Sequence, residues 1–203
     1  MSTARDVLNQ VRHAVSDIYD VFGPLNEAIR VIGKRLYILR SKIIVSDLDI
    51  DIVEDDAYGD LPSDFWGLDS KPYLSGYVWS LRPLPSLEVK LSYGSSTGIP
   101  RYYEIKGSKI YVTPVSGGSY TIVGDYFAKP TEITADTDTM PYSELFDDII
   151  TDYLRVYFAQ PAGGAVLGAK NLMEKIDTIA LRWGRKTPFH LNCSGMGINW
   201  SSM

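Results

Sequence analysis

Cysteine is almost absent, with Cys193 the sole example among 203 residues. A single thiol excludes an internal disulfide framework, so the fold does not depend on an oxidising compartment. Histidine is nearly as scarce: His13 and His190, together with one cysteine, fall short of the soft-ligand tetrahedron of a zinc site. Basic charge is in deficit, with 20 Lys and Arg against 25 Asp and Glu and a net charge of -5. A free-standing nucleic-acid binder would carry the opposite balance, to displace counterions from phosphates. Long apolar runs are missing too, and nothing approaches the roughly 18 residues that a membrane span requires. The opening "MSTARDVLNQVRHAV" lacks the basic-then-apolar layout of a secretion signal. The expectation is a cytoplasmic chain with no membrane partner. No internal repeat or low-complexity tract is visible.

What is present suits a globular protein: 45% hydrophobic and 22% charged residues allow a core and argue against disorder. The aromatic share is 12%, and aromatics serve strands and interfaces alike. Thr3 and Asp6 have a capping-box spacing. Val7, Val11, Val15 and Ile18 follow at helical intervals, with Gly23 as the stop and Pro24 as the start of a second helix. In "PLNEAIRVIGKRLYILRSKII" the residues Leu25, Ile29, Ile32, Leu36, Leu39 and Ile43 form a heptad-like stripe meant for another helix. The opposite face carries Arg30, Lys34, Arg35, Arg40 and Lys42 against Glu27 alone; it could touch phosphate, but a solvated face or salt bridges to acids elsewhere are the preferred readings.

The period then changes to 2. "SDLDIDIVED" sets Leu48, Ile50 and Ile52 against Asp47, Asp49 and Asp51. "LEVKLSYG" repeats the alternation with Val89, Leu91 and Tyr93 opposite Glu88, Lys90 and Ser92, and is predicted as a strand. "RYYEIKGSKIYVTP" reads as a hairpin turning at Lys106-Gly107-Ser108, and "GGSYTIVGDYFAKP" as a further strand. Helical spacing returns after Pro141. Ser143 can cap "SELFDDIITDYLRVYFAQ", whose apolar face is Phe146, Ile149, Ile150, Tyr153 and Tyr157. A fourth helix in "AVLGAKNLMEKIDTIALRW" presents Val166, Ala169, Leu172, Met173, Ile176, Ile179 and Trp183. The predicted fold class is α+β. A small helical bundle, residues 1–45 and 141–183, is interrupted by an antiparallel β-domain, 46–140, and followed by an extended C-terminal arm, 184–203.

Reaction chemistry is thin. "HLNC" brings His190 within three residues of Cys193, but nucleophilic pairs normally come from distant segments held by a rigid scaffold. Glu144, Asp147, Asp148 and Asp152 could form an acid cluster, and Asp147 with Asp152 would serve a hydrolase. The first three instead suit the positive end of a helix. "DLDID" lacks the glycine and distal glutamate of a calcium loop, and "SYGSSTGIP" lacks the glycines and basic residues of a phosphate cradle. An alternative is a carbohydrate-binding module stacking sugars on Trp66, Tyr73, Tyr77 and Trp79, against which the flanking helices count.

Two stretches remain. "YGDLPSDFWGL", residues 58–68, follows a strand with a turn fixed by Pro62 and then the pair Phe65 and Trp66. The tail "TPFHLNCSGMGINWSSM" has no period yet keeps Phe189, Leu191, Met196, Ile198 and Trp200. The order of parts resembles the head-to-tail adaptor (head completion) proteins of tailed bacteriophages, podovirus-type with a β-insert. The resemblance rests on "ARDVLNQVRHAV" and "EAIRVIGKRLYIL", the "LPSDF" turn, "Y-x-I-x-G" followed by "I-Y-V-x-P", the linker "TADTDTMP" and "FDDIITDYLRVYFA". It implies a structural virion protein, not an enzyme, with no cofactor or metal. Its partners would be the portal protein, tail nozzle or tail-fibre proteins, and its own copies in a dodecameric ring. Genomic DNA would pass through the channel without specific binding. The resemblance also implies that Phe189, Leu191, Met196, Ile198 and Trp200 dock on the portal or a neighbouring subunit. Pro62, Phe65 and Trp66 would form a tail-side or inter-subunit docking loop.

Overall fold

Helix formation begins where Thr3 meets Asp6. The Thr3 backbone N–H and hydroxyl both donate to the Asp6 carboxylate, at 2.9 and 2.7 Å, the return arm of a capping box. In the computed structural model, which describes residues 2–12, 21–159 and 172–179, α1 spans Ala4–Arg12. The N–H groups of Ala4 and Arg5 donate to the carbonyls of Asp138 and Asp136, both at 2.9 Å, which satisfies donors a helix start leaves open. Val7, Leu8 and Val11 are buried, while Val15 and Ile18 lie outside the described residues.

The second helix, α2, spans Phe22–Ile38. It takes in Gly23, the predicted stop, and carries Pro24 in its first turn, where a missing N–H is harmless. Leu25, Ile29, Ile32 and Leu36 are buried as the stripe requires, but the helix closes before Leu39 and Ile43. Arg40 adopts φ +50. Ser41 N–H donates to Leu36 O at 2.9 Å and Arg40 N–H to Tyr37 O at 3.0 Å, a Schellman termination with arginine in the usual glycine place.

The β-region holds ten short strands. β1 (Val45–Ile52) pairs antiparallel with β10 (Tyr120–Ala128), and β10 also pairs with β3 (Phe65–Leu68) and β4 (Tyr73–Leu74). β2 (Tyr58–Asp60), β8 (Lys109–Thr113), β7 (Tyr102–Lys106) and β5 (Arg82–Pro83) make a second sheet in that order. The β7–β8 hairpin turns at Gly107, φ +60. Two minor pairs are parallel rather than antiparallel: β5 with β7, and β6 (Thr97–Gly98) with β9 (Val115–Ser116). Leu48, Ile50, Ile52, Ile110, Val112 and Ile122 form the core between the sheets. Gly59 lies so close to Ile50 that a β-carbon there would collide with its side chain at 2.4 Å and crowd the Asp51 carbonyl at 3.2 Å.

One predicted strand is a helix. Residues Leu87–Tyr93 form α3, capped by the Ser86 hydroxyl accepting from Val89 N–H at 3.4 Å and ended by Gly94 at φ +55. α4 runs Asp147–Ala159 after a 3-10 turn at Glu144–Phe146, and residues 172–179 are again helical (α5). Phe146, Ile149, Ile150 and Tyr153 are buried against α1 and α2, and Leu172 and Ile176 join them. Met173, placed on the apolar face by spacing, is exposed; Val166, Ala169 and Trp183 lie outside the described residues. Phe127, Ile133 and Met140 enter this helical core from the β-region side.

Candidate docking surfaces

The 58–68 stretch is a joint between the two cores. After the Pro62 turn, Phe65 and Trp66 open β3 and are half-buried. Phe65 stacks on Tyr126 with ring centroids 5.7 Å apart, and the Tyr126 hydroxyl donates to Asp64 at 2.9 Å. Burial together with the Asp64 carboxylate pushes the Tyr126 phenol pKa up. Trp66 lies flat on Tyr37 of α2, centroids 4.9 Å and planes 9° apart, and Tyr37 meets Phe127 edge-on at 5.2 Å. Such ring pairs add about 0.5–1.5 kcal/mol each beyond their buried area. Gly67 permits the approach, since a β-carbon there would stand 2.8 Å from the Tyr37 hydroxyl oxygen. Arg40 covers the outer side of Phe127 at 5.5 Å and, with Lys42, pairs with the nearly buried Asp69. Pro62, Phe65 and Trp66 are thus brought together, on a loop fixed by aromatic contacts to both layers.

The basic face of α2 is largely spoken for. Arg35 grips Asp177 of α5 through two hydrogen bonds of 2.6 Å. The pairing holds the Asp177 carboxyl below the usual carboxylate range and raises the guanidinium. With Arg40 and Lys42 engaged by Asp69, the salt-bridge reading of this face holds for those three side chains.

The acid cluster does not converge. Asp147 opens α4, where burial raises its pKa and the neighbouring Glu144, Asp148 and Asp6 add to the rise, against a Ser2 hydrogen bond that lowers it. Asp152, five residues further round the helix, pairs with Lys175 and lies 3.7 Å from Arg155. The four candidate sugar-stacking rings do not form one plane either. Trp66 is committed to Tyr37, and Tyr77 and Trp79 are tilted by 59°. Among the described residues no three His, Cys, Asp or Glu side chains gather as a metal site would need. His13, His190, Cys193 and the tail residues Phe189, Leu191, Met196, Ile198 and Trp200 lie outside the described residues.

Exposed apolar and charged surface concentrates on the β-region, which sequence spacing did not single out. Leu87 and Leu91 stand on one side of α3 at 67% and 68% exposure, one helical turn apart. Trp79, 46% exposed, borders an open cleft of about 560 Å³ lined by Lys71, Arg82, Arg101 and Tyr102. β1 turns Asp47, Asp49 and Asp51 to solvent, and Asp47 sits directly opposite Asp125 of β10, a like-charge register that destabilises a sheet.

The described residues form a split helical layer carrying a β-region, with exposed apolar and charged surface on the latter. The family model of the SU10 adaptor protein matches residues 2–185, and the chain belongs to that family of phage structural adaptors. No curated protein matches it. Among the described residues no helix is long and apolar enough to cross a membrane.

Proposed function

We propose that this chain is the virion component that joins the portal vertex of a phage head to its tail. In this reading it assembles on the portal protein as a dodecameric ring, extends the DNA channel, and presents its far side to tail nozzle or tail-fibre proteins. It does so as a structural protein, without catalysis and without a cofactor. The supporting observation is the adaptor-family match over residues 2–185. The net charge of -5 suits a channel wall that must let DNA slide without gripping it. The helical bundle, residues 1–45 and 141–183, and the β-domain, 46–140, serve as the rigid body; residues 184–203 serve as the docking arm. Phe189, Leu191, Met196, Ile198 and Trp200 anchor that arm in portal or neighbour pockets, as buried aromatics do at interface hot spots. Pro62, with Phe65 and Trp66 behind it, forms the second docking element, facing the tail or the adjacent subunit. Assembly would take place in the host cytoplasm.

The test is absolute mass by light scattering of the purified chain mixed with its cognate portal ring. The ring should gain mass in multiples of 22.7 kDa, and a chain cut after residue 183 should keep its fold but no longer attach. A portal ring that gains no mass overturns the reading, and attachment of the shortened chain overturns the role of the arm.

A further inference from the structure

Two charge clusters of the β-region, without ion-pair partners among the described residues, lie toward opposite ends of one lateral row of paired residues. Asp49 of β1 is in register with Val123 of β10, Val123 with Tyr73 of β4, and Tyr73 with Ser80 through an isolated bridge. Strand β1 ends the hydrogen-bonded order on one side. On the other, Ser80 lines the cleft with Lys71, Arg82 and Arg101. Three strand spacings of about 4.8 Å set the row's ends roughly 14 Å apart. That exceeds both contact range and the screening length of about 8 Å at physiological salt.

Among the described residues neither cluster is neutralised. Lys71, Arg82 and Arg101 are exposed, the cleft they line has no carboxylate in its wall, and among the described residues none of the three has an ion-pair partner. Asp47, Asp49 and Asp51 are likewise without a cation among the described residues; Asp51 accepts one hydrogen bond, from the Thr121 hydroxyl at 2.8 Å. Asp125 opposite Asp47 adds a fourth carboxylate to that face. By contrast, Arg35 of α2 and Arg40 and Lys42 just beyond it meet acids within the fold. Two clusters of opposite sign without an ion-pair partner among the described residues, the acids on β1 of the first sheet and the cations around β5 of the second, are complementary to each other rather than to themselves.

We propose that the cationic cleft of one copy receives the acidic β1 edge of the next, so that copies associate head to tail through their β-regions. Different patches meeting in this way make a heterologous contact, which closes into a ring when the rotation allows. The inference rests on the adaptor reading and names the self-interface that such a ring would use. Trp79 and Tyr102 flank the cleft and give the contact an apolar rim around the charges. A phosphate backbone is the competing occupant. The acidic surplus of the whole chain, a net charge of -5, disfavours it, whereas the carboxylates of β1 offer the cleft a local match of opposite sign.

Sedimentation velocity on the full chain without portal, over a concentration series at low and high salt, tests the proposal. Self-association should appear at low salt and recede as salt screens the pairs. The double variants Arg82→Glu with Arg101→Glu, and Asp49→Lys with Asp51→Lys, should each weaken association by about tenfold or more, as losing close interfacial charge pairs does. Mixing the two variants should restore association with the charges exchanged. Unchanged melting curves would show that the substituted chains are folded. Wild-type chain that stays monomeric at low salt, or association indifferent to the reversals, overturns the proposal. So does a labelled DNA duplex bound by wild type and lost in the cleft variant, which would assign the cleft to phosphate. A chain that associates through these patches yet ignores the portal refutes the adaptor reading alone. A chain that loads onto the portal with the reversals in place refutes the interface alone.

Discussion

The hydroxyl of Tyr142 donates to the main-chain carbonyl of Ile29 at 2.9 Å, inside the protein and across a notch left by Gly33. This contact fastens the segment after β10 to the middle of α2. Asn26, one turn earlier, grips the same segment from both sides: its Nδ2 donates to Ile133 O and its Oδ1 accepts from Ile133 N–H, each at 2.8 Å. Asp138 closes the turn between them by accepting from the N–H groups of Thr134 and Ala135 at 2.8 and 2.9 Å. What reads as an acidic linker is therefore a clamp that ties the β-region to both N-terminal helices.

A β-carbon on Gly33 would stand 2.7 Å from the Tyr142 oxygen and 3.1 Å from two Pro130 carbons. Alanine favours a helix interior over glycine by about 1 kcal/mol, yet Gly33→Ala should destabilise the protein by about 1–3 kcal/mol, because the crowded ring and proline must move. Tyr142→Phe, which removes the hydroxyl and relieves that crowding, should cost about 1 kcal/mol alone. In the double variant the two losses should sum to less than their separate values, since they share one contact. Urea denaturation of the four proteins measures this, and full additivity would show that Gly33 and Tyr142 do not meet.

Trp66→Ala should cost about 2–3 kcal/mol, below the range for a fully buried aromatic because the indole is half-buried; it uncovers Tyr37 and opens the seam between the helical core and β3. Trp66→Phe keeps a ring on Tyr37 and should recover most of that loss. Chemical denaturation reads both. A Trp66→Ala protein as stable as wild type would mean that the stacking seen against Tyr37 contributes nothing to the joint.

Much of this architecture was legible in the residues themselves. Leu48, Ile50 and Ile52 alternate with three aspartates and cannot be buried together except on one side of a strand. Leu25, Ile29, Ile32 and Leu36 carry the helical period equally clearly, and both sets are buried. The segment 87–93 was misread because seven residues of mixed polarity satisfy either period. Val89, Leu91 and Tyr93 alternate, but Leu87 and Leu91 are also one helical turn apart. With no residue of α3 buried, no core decides between them, and the Ser86 cap does. Trp66 was legible as an aromatic with a task but not as a joint, since its partner Tyr37 lies on a different element. The cationic cleft was illegible for the same reason: Lys71, Arg82 and Arg101 are drawn together only by the pairing of residues 72, 73 and 80–82 with their neighbours.

Asp147 opens α4 in a partly buried position, and desolvation raises its carboxyl above the ordinary value near 3.8. A raised folded-state pKa means that the ionised form is disfavoured in the fold. The penalty is fully present above the folded pKa and vanishes below the unfolded one. Asp147→Asn should therefore raise the melting temperature at neutral pH. The advantage over wild type should shrink as pH falls through the raised pKa and disappear near pH 3. Thermal melts across that range decide it, and a variant less stable than wild type at pH 7 would show that the helix-terminus attraction outweighs desolvation here.

Arg35 and Asp177 give the opposite sign. The two 2.6 Å hydrogen bonds join α2 to residues 172–179, and they hold the Asp177 carboxyl below its ordinary value. A depressed folded-state pKa contributes stability that is present above the unfolded pKa and is lost as pH falls through the folded one. At neutral pH Asp177→Asn should lower the melting temperature, because the guanidinium keeps its place but loses the charge it was paired with. The gap to wild type should close on acidification from the ordinary value of 3.8 downward, below the window in which the Asp147→Asn gap closes from the other side. Both side chains are about one-third exposed, so added salt should narrow the Asp177 gap at neutral pH as well. Arg35→Lys separates charge from geometry. A lysine keeps the charge but cannot make the two parallel bonds, so it should recover only part of what Arg35→Ala loses. Complete recovery by lysine would reduce this contact to a screened surface ion pair. No recovery would mean that the paired hydrogen bonds, not the charge, supply what this contact contributes.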